Sequence, residues 1–404
     1  MDTADTLGPR VREQWTHAPD ALYLNHGGWG SCPRPVLEVQ REFQARLERQ
    51  PAQFFRDLEG LQDEARAPLA EFMGADPRDV VFVPNATTGV SCVVRSLRFA
   101  PGDELLTTTH SYNSCRNALA ATEAQGTRVV TVPLPFPLAS ESELIEPILA
   151  AVTPRTRLAM LDWITSPTGL VLPIAKLVSA LKERGVETLI DGAHAIGQVP
   201  IDLDRVGAGY FTGNCHKWLC TPKGSAALWV RRDLQDGIHP WYVGHGANST
   251  RVDRSRFLLE FDLPPTDDPS AYLCIPAALK FLSGLLPGGI PALQARNHAL
   301  ALRARALLCA ALRIPPPAPD DMIGHLAAVP LPEGPAGTLA PPHPRSNFVD
   351  PLQSALLARH QIEAPVLRAA GRRILRVSAQ AYNSLDQYET LARVLPGMLA
   401  EEHA

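Results

Sequence analysis

Two short stretches decide how this chain is interpreted: Asp191–His194, which reads DGAH, and Gly213–Trp218, which reads GNCHKW. Each stretch follows an apolar run that predicts a β-strand, so Asp191 and Lys217 stand at or just beyond strand ends. The chain has only five lysines, and the other four fall in predicted helices or in a turn. The pairing of Lys217 with Asp191 therefore calls for a chemical explanation.

An amine and a carboxylate in this arrangement match what a pyridoxal phosphate (PLP) enzyme requires. The lysine amine condenses with the cofactor aldehyde, and the aspartate keeps the pyridine nitrogen protonated, so that the ring accepts electrons from the substrate. A free lysine has a pKa of about 10.4 and is a poor nucleophile, but desolvation or a nearby positive charge lowers that pKa. The alternative is that Lys217 is a loop cation beside a structural tryptophan.

The composition is that of an ordinary globular protein and argues against several functional classes. Of 404 residues, 45% are hydrophobic and 20% are charged, the net charge is −4, and the length predicts two closely packed domains. The sequence has no stripe of basic residues that would indicate nucleic-acid binding, and it has no apolar run close to the roughly 20 residues that a membrane span requires. The polar N-terminus shows no signal-peptide segment and the seven cysteines are scattered, so we expect a cytoplasmic protein.

Residues 80 to 230 alternate between strand and helix patterns. Strands that alternate with helices form a mostly parallel sheet covered on both faces, so we predict an α/β fold. The predicted strands are Val80–Val83, Glu104–Thr108, Arg128–Val132, Arg157–Ile164, Glu187–Ile190, Gly209–Thr212 and Ala226–Val230. Ligands gather at the carboxyl ends of strands in such folds. The polar residues predicted at those ends are Asn85, His110, Ser166, Asp191 and Asn214.

The pattern changes after about residue 275, where long helical stretches give way to proline-rich loops and further strands. The predicted helices are Pro276–Leu285, Leu293–Leu312 and Gln353–His360, the strands are Leu326–Pro330 and Ile374–Ser378, and the loops include Pro315–Pro317 and Pro341–Pro342. We therefore predict an N-terminal arm (1–20), a large domain (21–272) whose first segment also contributes to the small-domain side, and a smaller C-terminal α/β domain (273–404).

Other kinds of site find little support in the sequence. Cys215, His216 and Cys220 have no second Cys/His pair at metal-ligand spacing, so no metal is expected. The glycines at 207, 209 and 213 do not follow the G-x-G-x-x-G spacing of dinucleotide-binding loops, and no Walker-type loop is present.

The ordered motifs together resemble those of fold-type I PLP enzymes of the class V aminotransferase branch. Within that branch the chain is similar to isopenicillin N epimerase-like proteins and, more distantly, to cysteine desulfurases. The likeness runs from about Leu22 to Asn383, and the order and spacing of its motifs are specific although each motif alone is weak. The motifs are Leu24–Gly28, Asn85–Gly89, His110–Asn113, Thr165–Gly169, Asp191–His194, Gly213–Trp218, Arg376–Ser378 and Tyr382–Asn383.

The resemblance implies how the phosphate of the cofactor is held. Thr87 and Thr88 open a helix after a strand, and a helix N-terminus suits a phosphate because its N–H groups are unpaired. A plain threonine N-cap is the alternative. Asn214 and His216 would add contacts on the phosphate side. Thr266 resembles a residue that reaches the phosphate from the neighbouring subunit, which implies a homodimer with its active site at the interface.

The resemblance also implies contacts to the cofactor ring. His110 would stack on the pyridine ring and act in catalysis with Lys217 and Asp191. His194 would approach the phenolic oxygen, and Ser166 stands where desulfurases carry an asparagine near that oxygen.

The resemblance implies that a different set of residues contacts the substrate. Arg376 matches the family arginine that binds the α-carboxylate of an amino-acid substrate as a bidentate fork. Asn25 and His26 resemble the segment that lines the substrate side. Arg372 and Arg373 are expected to be solvated.

Three reactions stay open, and epimerisation or racemisation of an amino acid is the favoured hypothesis. The substrate amine would displace Lys217 to form an external aldimine, a base would remove the Cα proton, and reprotonation on the other face would invert the centre. Lys217 is the expected base on its own face, and His110, Tyr112 and His26 are candidates for the acid on the other.

The alternatives share the same first step. Ala364–Gly371 contains no cysteine, so a persulfide-forming desulfurase is not expected, but a C–S lyase that needs no enzyme thiol stays open, as does an aminotransferase. A non-catalytic binding protein on a PLP fold would show no absorbance from cofactor bound to lysine.

Overall fold

The computed structural model describes residues 6–334 and 350–402. The helices are α1 (Leu7–Val11), α2 (His26–Trp29), α3 (Arg34–Arg49), α4 (Pro51–Phe72), α5 (Ala86–Ser96), α6 (Asn113–Ala120), α7 (Ser142–Ala150), α8 (Ile174–Lys182), α9 (Leu203–Val206), α10 (Arg256–Asp262), α11 (Ser270–Leu273), α12 (Ile275–Ser283), α13 (Gly289–Leu312), α14 (Pro351–His360) and α15 (Leu385–Glu401). The strands are β1 (Leu22–Tyr23), β2 (Val80–Val83), β3 (Glu104–Thr108), β4 (Arg128–Val132), β5 (Thr156–Asp162), β6 (Glu187–Asp191), β7 (Tyr210–Asn214), β8 (Ala226–Val230), β9 (Leu326–Pro330), β10 (Ile362–Glu363), β11 (Val366–Ala369) and β12 (Arg372–Ser378).

A seven-stranded sheet in the order β2-β8-β7-β6-β5-β3-β4 forms the centre of the fold. Strands β7, β6, β5, β3 and β4 pair in parallel, whereas β8 runs antiparallel to both β7 and β2. Every residue of β2, β3, β7 and β8 is buried, as expected for strands covered on both faces. The predicted α/β fold with a mostly parallel sheet is confirmed.

A smaller antiparallel sheet, in the order β11-β12-β9, follows in the C-terminal part of the chain and contacts α13. The N-terminal segment joins this part, because β1 pairs in parallel with β10 and the Trp15 ring lies 5.0 Å from the Tyr382 ring, centroid to centroid. Leu7, Val11 and Trp15 are buried, so this face of the N-terminal segment packs on the body of the protein. The boundaries proposed for the arm and the two domains remain predictions.

Local signals explain where the site-bearing elements begin and end. The Asn85 side chain caps α5 by accepting the backbone N–H of Thr88 at 2.9 Å, which fixes the turn between β2 and that helix. Ser384 and Gln387 form a capping box that starts α15 after the Arg376–Asn383 segment. Among the helices that the structure describes, none combines the length and apolarity that a membrane crossing requires.

The strand predictions agree closely with the structure, but one strand boundary and one predicted exposure were wrong. The strand predicted at Arg157–Ile164 ends at Asp162, so a buried carboxyl stands at a strand end and not inside a strand. Arg373, expected to be solvated, is 1% exposed and forms ion pairs with Asp350 and Glu402. The Pro341–Pro342 loop lies outside the described residues.

Candidate active site

The carboxyl ends of the central strands surround a cavity of about 460 Å³. Asp162, Asp191 and Asn214 are the last residues of β5, β6 and β7, and Tyr112 follows β3 as the residue before α6. The lining residues are Gly28, Trp29, Pro84–Thr87, Tyr112, Asp162, Ile164, Ser166, Asp191, Ala193, His194, Asn214, His216, Lys217, Lys223 and Gly224. The position at the strand ends is the one expected for a ligand site in an α/β sheet.

Lys217 places its amine inside this cavity in contact with His194. The side chain is 9% exposed, and Nζ lies 3.0 Å from Nε2 of His194. Burial, and secondly the positive charge of Arg376, lower the pKa of Lys217 to about 8. The amine is therefore much closer to its nucleophilic, neutral form than an exposed lysine would be.

The indole of Trp218 fixes the tautomer of His194. Its Nε1–H can only donate, and it donates to Nδ1 of His194 at 3.2 Å. Burial holds the pKa of His194 well below its usual range, so the ring is neutral and its proton sits on Nε2. That N–H points at Nζ of Lys217. Because an ammonium group has no lone pair to accept it, the contact favours the uncharged amine.

Asp191 is held by two donors beneath the same cavity. Its Oδ1 accepts the backbone N–H of Ala193 at 2.9 Å, and its Oδ2 accepts the thiol of Cys115 at 3.2 Å. Burial raises the pKa of Asp191, while these donors and the charge of Lys217 act in the opposite direction. A cationic ring nitrogen would supply the counter-charge that this buried carboxyl lacks.

The N-terminus of α5 forms another wall of the cavity. Asn214 Oδ1 accepts the backbone N–H of Ala86 at 2.8 Å, and Asn85 accepts that of Thr88. Asn214 therefore braces the helix end, and the wall is completed by Thr87 and by His216, whose Nδ1 lies 3.0 Å from the Ser225 carbonyl oxygen. The positive end of a helix dipole in this place suits a phosphate.

Arg376 contacts the cavity wall from behind, through Ser166. Its guanidinium is buried and donates to the Ser166 carbonyl oxygen and, at 3.2 Å, to Oδ1 of Asn25. Its Nε has no hydrogen-bond partner among the described residues. Burial lowers the pKa of Arg376 to about 10, so the group remains a cation with an unfilled donor, as a carboxylate-binding arginine requires.

Several predicted site residues lie away from the cavity wall formed by the described residues. His110 is fully buried, and its Nδ1 and Nε2 lie 2.9 Å from Thr168 Oγ1 and 3.1 Å from the Leu134 carbonyl oxygen. These two contacts fix the ring in its own plane, and Tyr112 is the aromatic side chain of this segment that lines the cavity. The stacking of His110 on a cofactor ring stays a prediction.

His26 and Thr88 are likewise engaged elsewhere. His26 is fully buried between the hydroxyl of Tyr382 and the carbonyl oxygen of Lys217, each 2.9 Å from a ring nitrogen, so it supports the lysine backbone from behind. Thr88 Oγ1 bonds the capping oxygen of Asn85 at 3.2 Å.

Thr266 does not line the cofactor cavity of its own chain. It is exposed and lines a neighbouring cavity of about 490 Å³, which shares Pro84, Lys223 and Gly224 with the first. Its predicted contact with the phosphate of a neighbouring subunit stays a prediction.

The structure also brings forward side chains that the sequence did not single out. Asp162 and Lys223 line the cavity with Trp29, and Cys115 contacts Asp191. Asp162 follows the same strand-end rule that identified Asp191, but the predicted strand ran two residues too far and concealed it. Lys223 follows a proline in a turn, and no local signal distinguishes it from a surface lysine.

A buried amine of lowered pKa, a carboxyl at the cavity floor, a helix N-terminus and a buried arginine with an unfilled donor fit PLP and an amino-acid substrate. The family model described as aminotransferase class-V matches residues 22–262. The chain belongs to the class-V aminotransferase family. The family and the cavity together identify PLP as the cofactor.

Relatives with different names match this class-V chain over most of its length. Isopenicillin N epimerase of Amycolatopsis lactamdurans is 33% identical, with 96% of this chain and 98% of that protein covered. A probable chloroplastic L-cysteine desulfhydrase of Arabidopsis thaliana is 30% identical, with 95% and 84% covered. The two names correspond to different reactions, so the family alone does not select one.

Solved structures agree on the fold. The cystine C–S lyase C-DES, in complex with cysteine persulfide, superimposes with a TM-score of 0.76 at 22% identity, covering 96% of this chain and 98% of that one. The cysteine desulfurase CsdA from Escherichia coli gives a TM-score of 0.77 at 19% identity, covering 98% and 99%. The fold of this class-V chain is therefore that of the fold-type I PLP enzymes.

Proposed function

We propose that this protein is a PLP-dependent epimerase or racemase that removes the Cα proton of an amino acid and returns a proton on the opposite side. The observation that carries the proposal is the contact of the Lys217 amine with His194, in the same cavity as Asp191. Similarity to isopenicillin N epimerases over 95–96% of the chain supports this reaction.

Bound PLP would supply an electron sink that acidifies the Cα–H bond of the substrate. Asp191 would keep the ring nitrogen protonated, and Thr87 and His216 would contact the phosphate together with the end of α5. Arg376 would bind the substrate carboxylate and so orient the Cα–H bond, with Ser166 and Asn25 holding the guanidinium in place. Lys217 would take and return the proton on its own side.

Inversion requires a proton donor on the side opposite Lys217, and Tyr112 is our choice. Of the three candidates that the sequence offered, His110 and His26 are engaged by other groups and only Tyr112 lines the cavity. Strand β6, which carries Asp191, lies between β7, which leads to Lys217, and the β5–β3 side, which leads to Tyr112. The two groups thus approach the cavity from opposite sides of Asp191.

A C–S lyase acting on a cysteine-derived substrate is the second candidate, because L-cysteine desulfhydrases of plants are 28–30% identical over 95–97% of the chain. All seven cysteines of the chain are buried, which argues against an enzyme thiol that accepts sulfur from the substrate. Such a lyase would instead release the sulfur directly. Amino-group transfer is a third outcome of the same proton abstraction.

The test is incubation of the PLP-loaded protein with a panel of L-amino acids in deuterated water. Deuterium at Cα together with inversion is the result we expect. Pyruvate with released sulfide would establish the lyase instead, and a 2-oxo acid with amino-group transfer would establish the aminotransferase. Lys217→Ala is the control that should abolish all of these products, whereas Lys176→Ala, in an exposed lysine paired with Glu141, should abolish none.

We further propose that the protein acts as a homodimer in which Thr266 reaches the phosphate site of the partner. Thr266 is exposed, and its cavity adjoins the cofactor cavity. The exposed side chains of Trp241 and Val243, 61% and 89% accessible, flank this region and would be covered by a second copy.

Cytoplasmic localisation remains a prediction from the sequence.

A mixing experiment separates this arrangement from a Thr266 that serves its own chain. Dimers formed from Lys217→Ala and Thr266→Ala chains contain one complete site only if Thr266 acts across the interface. We expect the mixed dimer to recover tight cofactor binding in half of its sites. A monomer in solution, or no recovery in the mixed dimer, would contradict the proposal.

A further inference from the structure

Asp162 is a buried carboxyl in the cofactor cavity that the proposed reaction does not use. It is 3% exposed and ends β5, directly in register with Asp191 at the end of β6. In-register residues of neighbouring parallel strands project from the same face of a sheet, so the two carboxyls stand side by side. Both line the cavity that holds Lys217.

The two carboxyls receive different support. Asp191 accepts the N–H of Ala193 and the thiol of Cys115, and the charge of Lys217 favours its ionised form. Among the described residues, neither a lysine nor an arginine forms an ion pair with Asp162. Its neighbours are neutral donors: the Ser111 hydroxyl at 2.5 Å and the backbone N–H of Tyr112.

Two buried carboxylates in adjacent positions cannot both keep a charge, because each disfavours the ionised form of the other. The better-supported Asp191 therefore keeps the charge and Asp162 keeps the proton. Burial, followed by the charge of Asp191, raises the pKa of Asp162 to about 8. The titratable groups that face Asp162 are Asp191 on β6, Cys115 on α6 and Lys217 after β7.

We propose that Asp162 is a second, protonated acid of the active site, which confines the negative charge to Asp191 and positions the Ser111–Tyr112 segment against the cavity. It is a positioning residue. Its oxygens accept hydrogen bonds from the hydroxyl of Ser111 and the backbone N–H of Tyr112. Because Asp162 is protonated, it does not place a second negative charge beside the cofactor ring. The proposal rests on the cofactor and not on which of the three reactions the protein performs.

The direct test is the infrared signature of a protonated carboxylic acid in the cofactor-free protein at pH 6. We expect a C=O stretching band that disappears in Asp162→Asn and persists in Asp191→Asn, because burial, the larger of the two causes, still raises the pKa of Asp162 when the charge of Asp191 is removed. Asp79→Asn is the matched control, because Asp79 is also buried but is paired with Arg232 at 2.8 Å, and the band should survive that change. A band that survives Asp162→Asn, or the absence of any such band in the wild-type protein, would overturn the assignment.

Cofactor binding gives a second measurement that does not depend on activity. Asn is neutral and keeps an acceptor oxygen for Tyr112, so Asp162→Asn should retain PLP to within about threefold of wild type. Asp191→Asn should weaken PLP retention about tenfold or more, because losing a charge interaction equivalent to one pKa unit changes a binding constant about tenfold. Equal losses in the two variants would show that Asp162 carries the charge and would refute the proposal.

Discussion

Nζ of Lys217 lies 3.0 Å from Nε2 of His194, and the indole N–H of Trp218 occupies the other nitrogen of the same ring. Through His194, the indole N–H of Trp218, which can only donate a hydrogen bond, influences whether the Lys217 amine is charged. As long as Trp218 donates to Nδ1, the neutral imidazole presents an N–H to Lys217 and disfavours its ammonium form. A tryptophan outside the cavity thus helps to prepare the lysine for the cofactor.

Replacing Trp218 with phenylalanine should free His194 to adopt the other tautomer, whose bare Nε2 accepts a proton from an ammonium group. The pKa of Lys217 should rise, and the rate of cofactor incorporation at pH 7 should fall about tenfold for each unit of rise. The measurement is the growth of visible absorbance after PLP is added to cofactor-free protein at a series of pH values. The wild-type midpoint should lie near pH 8. An identical midpoint in the variant would rule out the coupling.

Arg376→Gln should have two separable effects. Loss of the positive charge should raise the pKa of Lys217, because Arg376 is the second cause of its depression after burial. Loss of the bidentate contact should raise KM for the amino acid about 10- to 150-fold, because a hydrogen bond to a charged group contributes roughly 1.5–3 kcal/mol. Arg372→Gln is the control, since Arg372 is exposed on the same strand. Steady-state kinetics and cofactor incorporation together make the check, and equal behaviour of the two variants would contradict it.

Tyr112→Phe should separate proton exchange from inversion. Lys217 would still remove and return the Cα proton on its own side, so deuterium should enter the substrate with retention of configuration. Inversion should fall by about 10²- to 10⁴-fold, the usual contribution of a general acid or base. Chiral chromatography combined with mass spectrometry measures both outcomes in one sample. If the variant inverts its substrate as fast as wild type, Tyr112 is not the opposite-side acid.

The positions of the strand ends could be predicted because each strand leaves a local signal in the sequence. Asp191 and Lys217 follow apolar runs that can only be buried strands, and parallel strands bring their carboxyl ends to one edge of a sheet. The order of the motifs therefore predicted most of the strand-end residues that line the cavity. What the sequence could not decide is which of two nearby side chains faces the cavity.

His110 and Tyr112 illustrate that limit. They are two residues apart on one turn, and the choice between them is made by Thr168 and the Leu134 carbonyl, which hold the histidine ring. Arg373 is a similar case, because its partners Asp350 and Glu402 come from other parts of the chain. Neither set of contacts leaves a local signal in the sequence.

Two mid-helix glycines offer a matched test of how α5 packs on the central sheet. A Cβ added to Gly89 would lie 2.1 Å from Thr212 Oγ1, whereas one added to the exposed Gly60 of α4 meets no atom within 4 Å. Gly60→Ala should stabilise the protein by about 0.5–1 kcal/mol, because alanine favours the helix. Gly89→Ala should destabilise it by roughly 1–3 kcal/mol and weaken PLP binding by displacing the Thr87 end of α5. Denaturant unfolding would check this, and equal effects at both positions would contradict the packing.

The raised pKa of Asp162 should make the stability of the cofactor-free protein depend on pH. An aspartate has a pKa of about 4 in an unfolded chain and this one has a pKa of about 8 when folded, so between these values the folded state holds a proton that the unfolded state has lost. The stabilising contribution is complete below pH 4 and is lost as pH rises towards 8, by at most about 1.4 kcal/mol per unit.

Asparagine does not titrate, so the free energy of unfolding of Asp162→Asn relative to wild type should increase steadily from pH 4 to pH 8 and level off above it. Urea unfolding of both proteins at intervals across that range measures the difference. Asp79→Asn is the control and should show no such increase, because that carboxyl is paired with Arg232 at 2.8 Å. A difference between Asp162→Asn and wild type that stays constant from pH 4 to pH 8 would mean that Asp162 is ionised in the fold, and its proton could not then be what leaves the charge on Asp191.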